Sequence, residues 1–353
     1  MTRRRSDRVT LATVARMAGV AESTASRVLN GYTQNFRVRP EVRQKVLDAA
    51  SQLNYRPNPM VRSISAKRTN LVAVVGWASD GVNRTALSET VRVCSEGGKH
   101  VCTTFLRQDN AGHELPSWRV DGAIVLQVRI EEDLAELEAS GLPYVSINGP
   151  TGEGGDSVTF NEADGMNMAL DHLHELGHTK IAYLYLEQSR VNPRGIPHGS
   201  VRARREAYAD GMERMGLEPV EGWDRFDVHF RDYVREVVIG LGATALIVYD
   251  DVMSLYLIQA ATAMGLSIPE DLSIVTFNDE MPAKAATPPL TTVRLPAAEA
   301  GRRAGELLLE RLTLGPDEQP ETRHVVLTQE LVLRQSTAAP RAGEVGSQGS
   351  AHA

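Results

Sequence analysis

Three histidines lie close together in the run HLHELGH, at His172, His174 and His178, and such a cluster could bind zinc. On a helix His174 and His178 are four apart and share a face, but His172 is poorly placed to join them, so a helix end leading into a strand accounts for the run better. Acidic pairs at Asp250–Asp251 and Asp279–Glu280 could serve acid–base chemistry in a cleft. Adjacent acids at strand ends are equally common as ligand or solvent groups. No glycine-rich dinucleotide fingerprint, phosphate loop or nucleophile elbow accompanies them. Two cysteines, Cys94 and Cys102, make neither a disulfide framework nor a metal set. The chemistry that remains is binding rather than catalysis, with no enzyme activity and no cofactor expected.

Charge shows where binding divides. The net of −7 argues against a nucleic-acid partner, but it averages two unlike parts. Residues 1–70 hold 14 Lys and Arg against 4 Asp and Glu, and the remainder holds 24 against 41. A basic head can attract phosphates while an acidic body is held off them. Hydrophobic residues make up 42% and charged residues 24%, which is ordinary globular composition. The basic start is followed by no long apolar run, so neither a secretory signal nor a membrane span is expected, and the reading is cytoplasmic with no membrane partner.

The elements that must position these groups change grammar near residue 70. In the head, Thr10 can cap a helix through about Ala18, Gly19 permits a turn, and a second helix runs from about Glu22 to Leu29. Pro40 opens a third, with Val42, Val46, Ala49, Ala50 and Leu53 as its apolar stripe. Three short helices sharing so small a core under a basic exterior make a helix-turn-helix module. Beyond Asn70, apolar runs (LVAVVG, VDGAIVL, LPYVSIN, KIAYLYL, ATALIVY, LSIVTFND) alternate with helical stretches, among them 85–96, 131–139, 164–176, 201–215, 228–240, 251–264 and 297–311. The pattern predicts an α/β body of two lobes with open parallel sheets and a cleft between them, a last strand at 324–333 completing it. From Gln335 on, Pro, Gly, Ser and Ala dominate, and 335–353 reads as a disordered tail.

The run VTLATVARMAGVAESTASRVLNG, continued by RPEVRQKVLDAASQLNYRPNPMVRSISAKRTNLVAVV, resembles the head of the LacI/GalR family of bacterial transcriptional regulators. The likeness extends through FNEADGMNMALDHLHELGHTKIAYL, VRARREAYADGMERMGL and PPLTTVR to cover nearly all of residues 9–334. It implies a head at 9–57, a hinge helix and linker at 58–69, and a periplasmic-binding-protein-like body at 70–334. Lobe 1 would span about 70–160 and 294–321, and lobe 2 about 161–290 and 322–334. Carried over by position, Glu22, Ser23 and Arg27 face base edges; Arg27 can donate two parallel hydrogen bonds to a guanine, and Glu22 can accept one from a cytosine amino group. Thr24, Ser26, Asn30 and Asn58 contact phosphates, which set register. Ile64 stands at the family's minor-groove wedge. An isolated helix as short as the hinge is unstable in water, so it needs a partner's hinge and DNA, and a homodimer on a palindromic operator is implied.

In the body the resemblance places Asn148, Arg204, Asp250 and Asn278 at effector-contacting positions; Phe160 can offer the effector a ring face or an apolar wall, and Trp77 and Trp223 are further wall candidates. These groups favour a small polar effector, most simply a sugar. Three departures from the family stand out: Ala21 replaces a capping serine, the NGYTQNFRVRPEVR link with Arg37 and Arg39 is longer than usual, and AGHELPSWR, at nine residues, is too short for the family's helix there. Repression is the default expectation, because a dimer over a promoter blocks polymerase by occupancy.

Overall fold

The computed structural model describes residues 9–30, 38–55, 68–76, 81–104, 119–126, 128, 134–185, 198–220, 229–314, 318 and 321–341. Asn58, Ile64, Trp77, Trp223, Arg37 and most of AGHELPSWR lie outside them. The chain divides into two compact units, Met1–Asn70 and Leu71–Ala353.

The first unit is three helices, α1 (Leu11–Ala18), α2 (Glu22–Asn30) and α3 (Pro40–Gln52). Thr10 caps α1 in a reciprocal box with Thr13, each hydroxyl accepting the other's backbone N–H at 3.3 and 3.4 Å. Gly19, at φ 67°, ends α1 in the left-handed region that other residues avoid. Val14, Ala15, Ala25, Val28, Val46, Ala49 and Ala50 form the common core, so each helix buries one stripe of small or branched residues.

The second unit holds two sheets. In the first, β1 (Leu71–Val75), β2 (His100–Thr104), β3 (Gly122–Leu126), β4 (Tyr144–Ile147), β5 (Asp156–Phe160) and β10 (His324–Leu327) run parallel in the order β10-β5-β4-β3-β1-β2. In the second, β6 (Ile181–Leu184), β7 (Ala245–Val248), β8 (Ser273–Asn278), β9 (Thr291–Arg294) and β11 (Glu330–Val332) run in the order β11-β9-β8-β7-β6, with only β11 antiparallel among them. Continuous apolar runs are the signature of strands covered on both faces. Val72 and Val74 point into one core and Ala73 and Val75 into another, so β1 is buried on both sides.

Helices α4 (Gly81–Glu96), α5 (Ala135–Ser140) and α11 (Ala297–Thr313) accompany the first sheet. Helices α6 (Glu162–Glu175), α7 (Gly199–Arg214), α8 (Phe230–Tyr233, continuing as a π-helix through Val234–Gly240), α9 (Asp251–Ala263) and α10 (Met281–Ala285) accompany the second. Gly301 lets α11 lie against α4, because a Cβ there would strike the Ala86 carbonyl; Thr90 on α4 donates to the Gly301 carbonyl at 3.1 Å.

Several expectations are corrected. The helix read at 131–139 is Ala135–Ser140 where described. The strands at 156–160 and 291–294 and the helix at 281–285 had no reading, being short and flanked by turn residues. The single strand read at 324–333 is two strands on different sheets, so residues 324–327 belong with lobe 1 rather than lobe 2. The tail is also misread in part. Ser336 is fully buried: its carbonyl accepts from Ile274 N at 2.8 Å, and its hydroxyl accepts from Thr291 N at 2.8 Å and donates to the Ile274 carbonyl at 2.6 Å. Ala338 adds bonds to Ser273 and His178. Small residues that read as disorder here satisfy backbone groups of β8 and the start of β9, which burial would otherwise leave costly.

Candidate DNA-reading helix and effector cleft

Helix α2 is two-faced. Ala25 and Val28 are buried, while Glu22, Ser23 and Arg27 are exposed and Thr24 and Ser26 are half-buried. The three residues read as base-facing therefore share the outer surface, and Asn30 closes the helix. Ala21 offers α2 only its carbonyl, which accepts from Thr24 N at 2.9 Å and Ala25 N at 3.0 Å.

In the body, a cavity of about 710 Å³ lies where the lobes meet. Lobe 1 supplies the loop after β4 (Asn148 to Thr151), Ser157, Thr159 and Phe160 of β5, and His324. Lobe 2 supplies Glu162 and the start of α7, with His198, Ser200 and Arg202. Asn148 adopts φ 55°, a left-handed conformation that asparagine tolerates better than most residues, and it turns the loop over the cavity.

Among the described residues, hydrogen bonds at two places away from the connecting segments tie the lobes. The ring Nδ1 of His198 accepts from Ser200 N at 3.2 Å, which leaves Nε2 to donate to the Asn148 carbonyl at 2.6 Å. Ser200 in turn contacts the Tyr249 hydroxyl at 2.8 Å. At the other place, Gly81 N at the start of α4 donates to Glu280 at 3.1 Å. A Cβ on Gly81 would collide with that carboxylate, so glycine permits the approach.

Of the residues read as effector contacts, Asn148 and Phe160 line the cavity. Arg204 is not on its wall. Only 2% exposed, Arg204 donates through Nε to Glu162 at 2.6 Å and through a terminal nitrogen to the Tyr249 carbonyl at 2.8 Å. Its guanidinium also lies over the Phe277 and Tyr249 rings, 3.9 and 4.9 Å from their centroids. Burial alone would lower its pKa, but Glu162 and the neighbouring tyrosines outweigh burial and raise it, so the charge persists. Asp250 caps α9, accepting from Met253 N at 2.7 Å, and Asn278 ends β8; neither lines the cavity. Asn278 and Asp279 take φ 96° and 61° in succession, a strained pair held by the salt bridges of Asp279 with Arg294 and Arg334.

Sequence reasoning missed Glu162, His198, Ser200 and Gln329. Glu162 stands two residues after Phe160, where an acid in a helix's first turn needs no other reason. The others carry no local signal. His172 and His178 serve the docked C-terminal segment, His172 through Thr337 at 3.0 Å and His178 through the Ala338 carbonyl at 2.9 Å. Among the described residues no group of His, Cys, Asp or Glu could hold a metal ion, and no helix is long and apolar enough to cross a membrane.

The model for bacterial regulatory proteins of the lacI family matches residues 10–58, and that for the periplasmic binding protein-like domain matches 170–337. The HTH-type transcriptional repressor PurR of Mannheimia succiniciproducens is 30% identical over 340 residues, covering 93% of this chain and 98% of that protein. The chain belongs to the lacI family. The HTH-type transcriptional regulator CelR of Thermobifida fusca is 29% identical over 359 residues, covering 95% and 100% of the two chains. Among solved structures, the lac repressor dimer bound to operator and the anti-inducer ONPF matches with TM-score 0.76 at 25% identity, covering 94% of this chain and 99% of that one. A CelR–cellobiose complex matches with TM-score 0.64 at 27% identity, covering 93% and 100%. This lacI-family protein is thus a DNA-binding regulator with an all-α head on a two-lobed, periplasmic-binding-protein-like body of the allosteric type.

Proposed function

We propose that the protein is a homodimeric, sequence-specific transcriptional repressor whose hold on a palindromic operator is set by a small polar effector, most simply a sugar or sugar derivative. One observation carries the reading: a single chain joins a helix with Glu22, Ser23 and Arg27 exposed to a two-lobed body with a cavity of about 710 Å³. Arg27, Glu22 and Ser23 read bases in the major groove, Thr24, Ser26, Asn30 and Asn58 contact phosphates, and Ile64 wedges the minor groove. Asn148 and Phe160 meet the effector directly, and Asp250 and Asn278 approach it from the ends of β7 and β8. Arg204 acts from behind Glu162.

Two-state coupling gives the mechanism. An effector that favours one arrangement of the lobes changes the alignment of paired hinges, and DNA affinity changes without contact between effector and DNA. The named relatives support both halves, since one is called a repressor, one is bound to operator as a dimer, and one holds cellobiose. The test is binding of purified protein to its own upstream DNA at fixed salt, titrated with sugars and nucleobases. Tight binding to a palindromic site that one compound alters is expected. No preference for any genomic sequence over random DNA would leave a solute-binding sensor instead.

A further inference from the structure

Glu162 opens α6 just past the first chain segment that joins the lobes, and it lines the cavity although only 7% of the residue is exposed. Its Oε2 is held from two sides, by Arg204 Nε at 2.6 Å and by Gln329 Nε2 at 3.2 Å. Its Oε1 is buried and receives no hydrogen bond from any described residue. A buried carboxylate oxygen without a donor is costly, and a ligand in the adjoining cavity is the natural source of one.

The surroundings decide what kind of donor fits. Arg204 spends its charge on Glu162 and its remaining contacts on Tyr249 and Phe277, so it has no anion-binding face to offer. Thr151, Thr159 and Ser200 add hydroxyls to the wall, and Phe160 adds an apolar ring. Arg202 is exposed to solvent, where its field is screened. A phosphate or carboxylate brought to Glu162 would set two anions together where the buried cation, Arg204, is already paired.

We propose that Glu162 selects the effector: Oε1 accepts a hydrogen bond from an uncharged O–H or N–H donor, and the site turns away phosphorylated or carboxylated forms of the same skeleton. This rests on the cleft being the effector site. Neutral polyols and neutral nucleobases or nucleosides share the required chemistry. The same contact reaches a connection between the lobes, because Gln329 lies between β10 and β11, on the third segment joining them.

The test is calorimetric titration of the full-length protein with matched pairs: ribose and ribose 5-phosphate, glucose and glucose 6-phosphate, cellobiose and cellobionate, inosine and inosine 5′-monophosphate. A neutral member is expected to bind about tenfold or more tightly than its anionic partner. A sugar or a nucleoside in that role supports the proposal equally and identifies the source. Equal or tighter binding of an anionic member overturns selection by Glu162 and leaves the effector reading standing. Binding of no member, by a protein that still holds its operator, overturns both.

Glu162→Gln then asks whether this side chain is responsible. It is expected to weaken the neutral ligand about tenfold or more and to shift the neutral-to-anionic ratio towards the anion, because Arg204 is released. A purely structural role would lower thermal stability and leave that ratio unmoved, which would overturn the proposal. Should Glu162→Gln fail to fold, Glu162→Asp keeps the charge and is expected to weaken binding while still rejecting the anion; loss of that rejection also overturns it.

Discussion

At the scale of single residues, burial turns ordinary side chains into special ones. Asp251 is 2% exposed; one carboxylate oxygen accepts from Glu280 N at 2.6 Å and the other meets no donor among the described residues. Burial pushes its carboxyl up to about 7, the amide of Glu280 opposes the shift, and the charges of Asp250, Glu280 and Asp279 add to it. In the unfolded chain an aspartate titrates near about 3.9, so the folded protein holds the extra proton between about pH 4 and pH 7. Stability linked to Asp251 is therefore fully present below about pH 4 and lost as pH rises to about 7, by a total on the order of 4 kcal/mol. Asp251→Asn is expected to flatten that loss, checked by urea unfolding of both proteins at about pH 5 and about pH 8. A variant that keeps the wild-type slope would place the titration elsewhere. On the head, Arg27→Ala is expected to cost about 1–3 kcal/mol of operator affinity and to relax discrimination at one base pair, read by competition between operator variants.

Elements carry their own signatures of fit and misfit. Helix α2 is preceded by Ala21, whose side chain cannot accept the first amides, whereas α1 has the full Thr10–Thr13 box. Ala21→Ser is expected to stabilise the head by about 1 kcal/mol, seen as a rise in its melting temperature. No rise would mean that the first turn is held by other contacts. Where α11 crosses α4, closeness is set by Gly301 against the Ala86 carbonyl. Gly301→Ala gains helix propensity of about 1 kcal/mol, yet the backbone collision outweighs it, so net destabilisation of roughly 1–3 kcal/mol is expected in thermal melts.

At the scale of the whole molecule, the body is closed by contacts between distant parts of the chain. The segment after Arg334 fastens β8 and the start of β9 through Ser336 and Ala338, and Arg341 pairs with Asp271. Truncation after Arg334 is expected to lower body stability by several kcal/mol, since it strips partners from buried backbone groups at roughly 1–3 kcal/mol each. Differential scanning calorimetry checks this; an unchanged body transition would show that the segment merely rests there. The His198–Asn148 and Gly81–Glu280 bonds join the lobes through chain stretches far apart in sequence. Under the proposed function, an effector would act by favouring the arrangement in which these bonds are made or the one in which they are broken.

What the sequence determines by itself is periodic or local. Helices of the head follow from caps, Gly19, Pro40 and stripes of apolar residues, and doubly buried strands follow from unbroken runs such as LVAVV and ALIV. The resemblance supplied the order of the parts and the face of α2 that points outward. Tertiary structure alone decided the rest. That Glu162 captures Arg204 and keeps it off the cavity wall depends on two residues 42 positions apart meeting in a buried, weakly screened site. That 324–333 splits between two sheets, and that a serine- and alanine-rich tail is buried, depends on which backbone groups of other strands lack partners. Neither leaves a mark in local composition, because the need that each meets belongs to a different part of the chain.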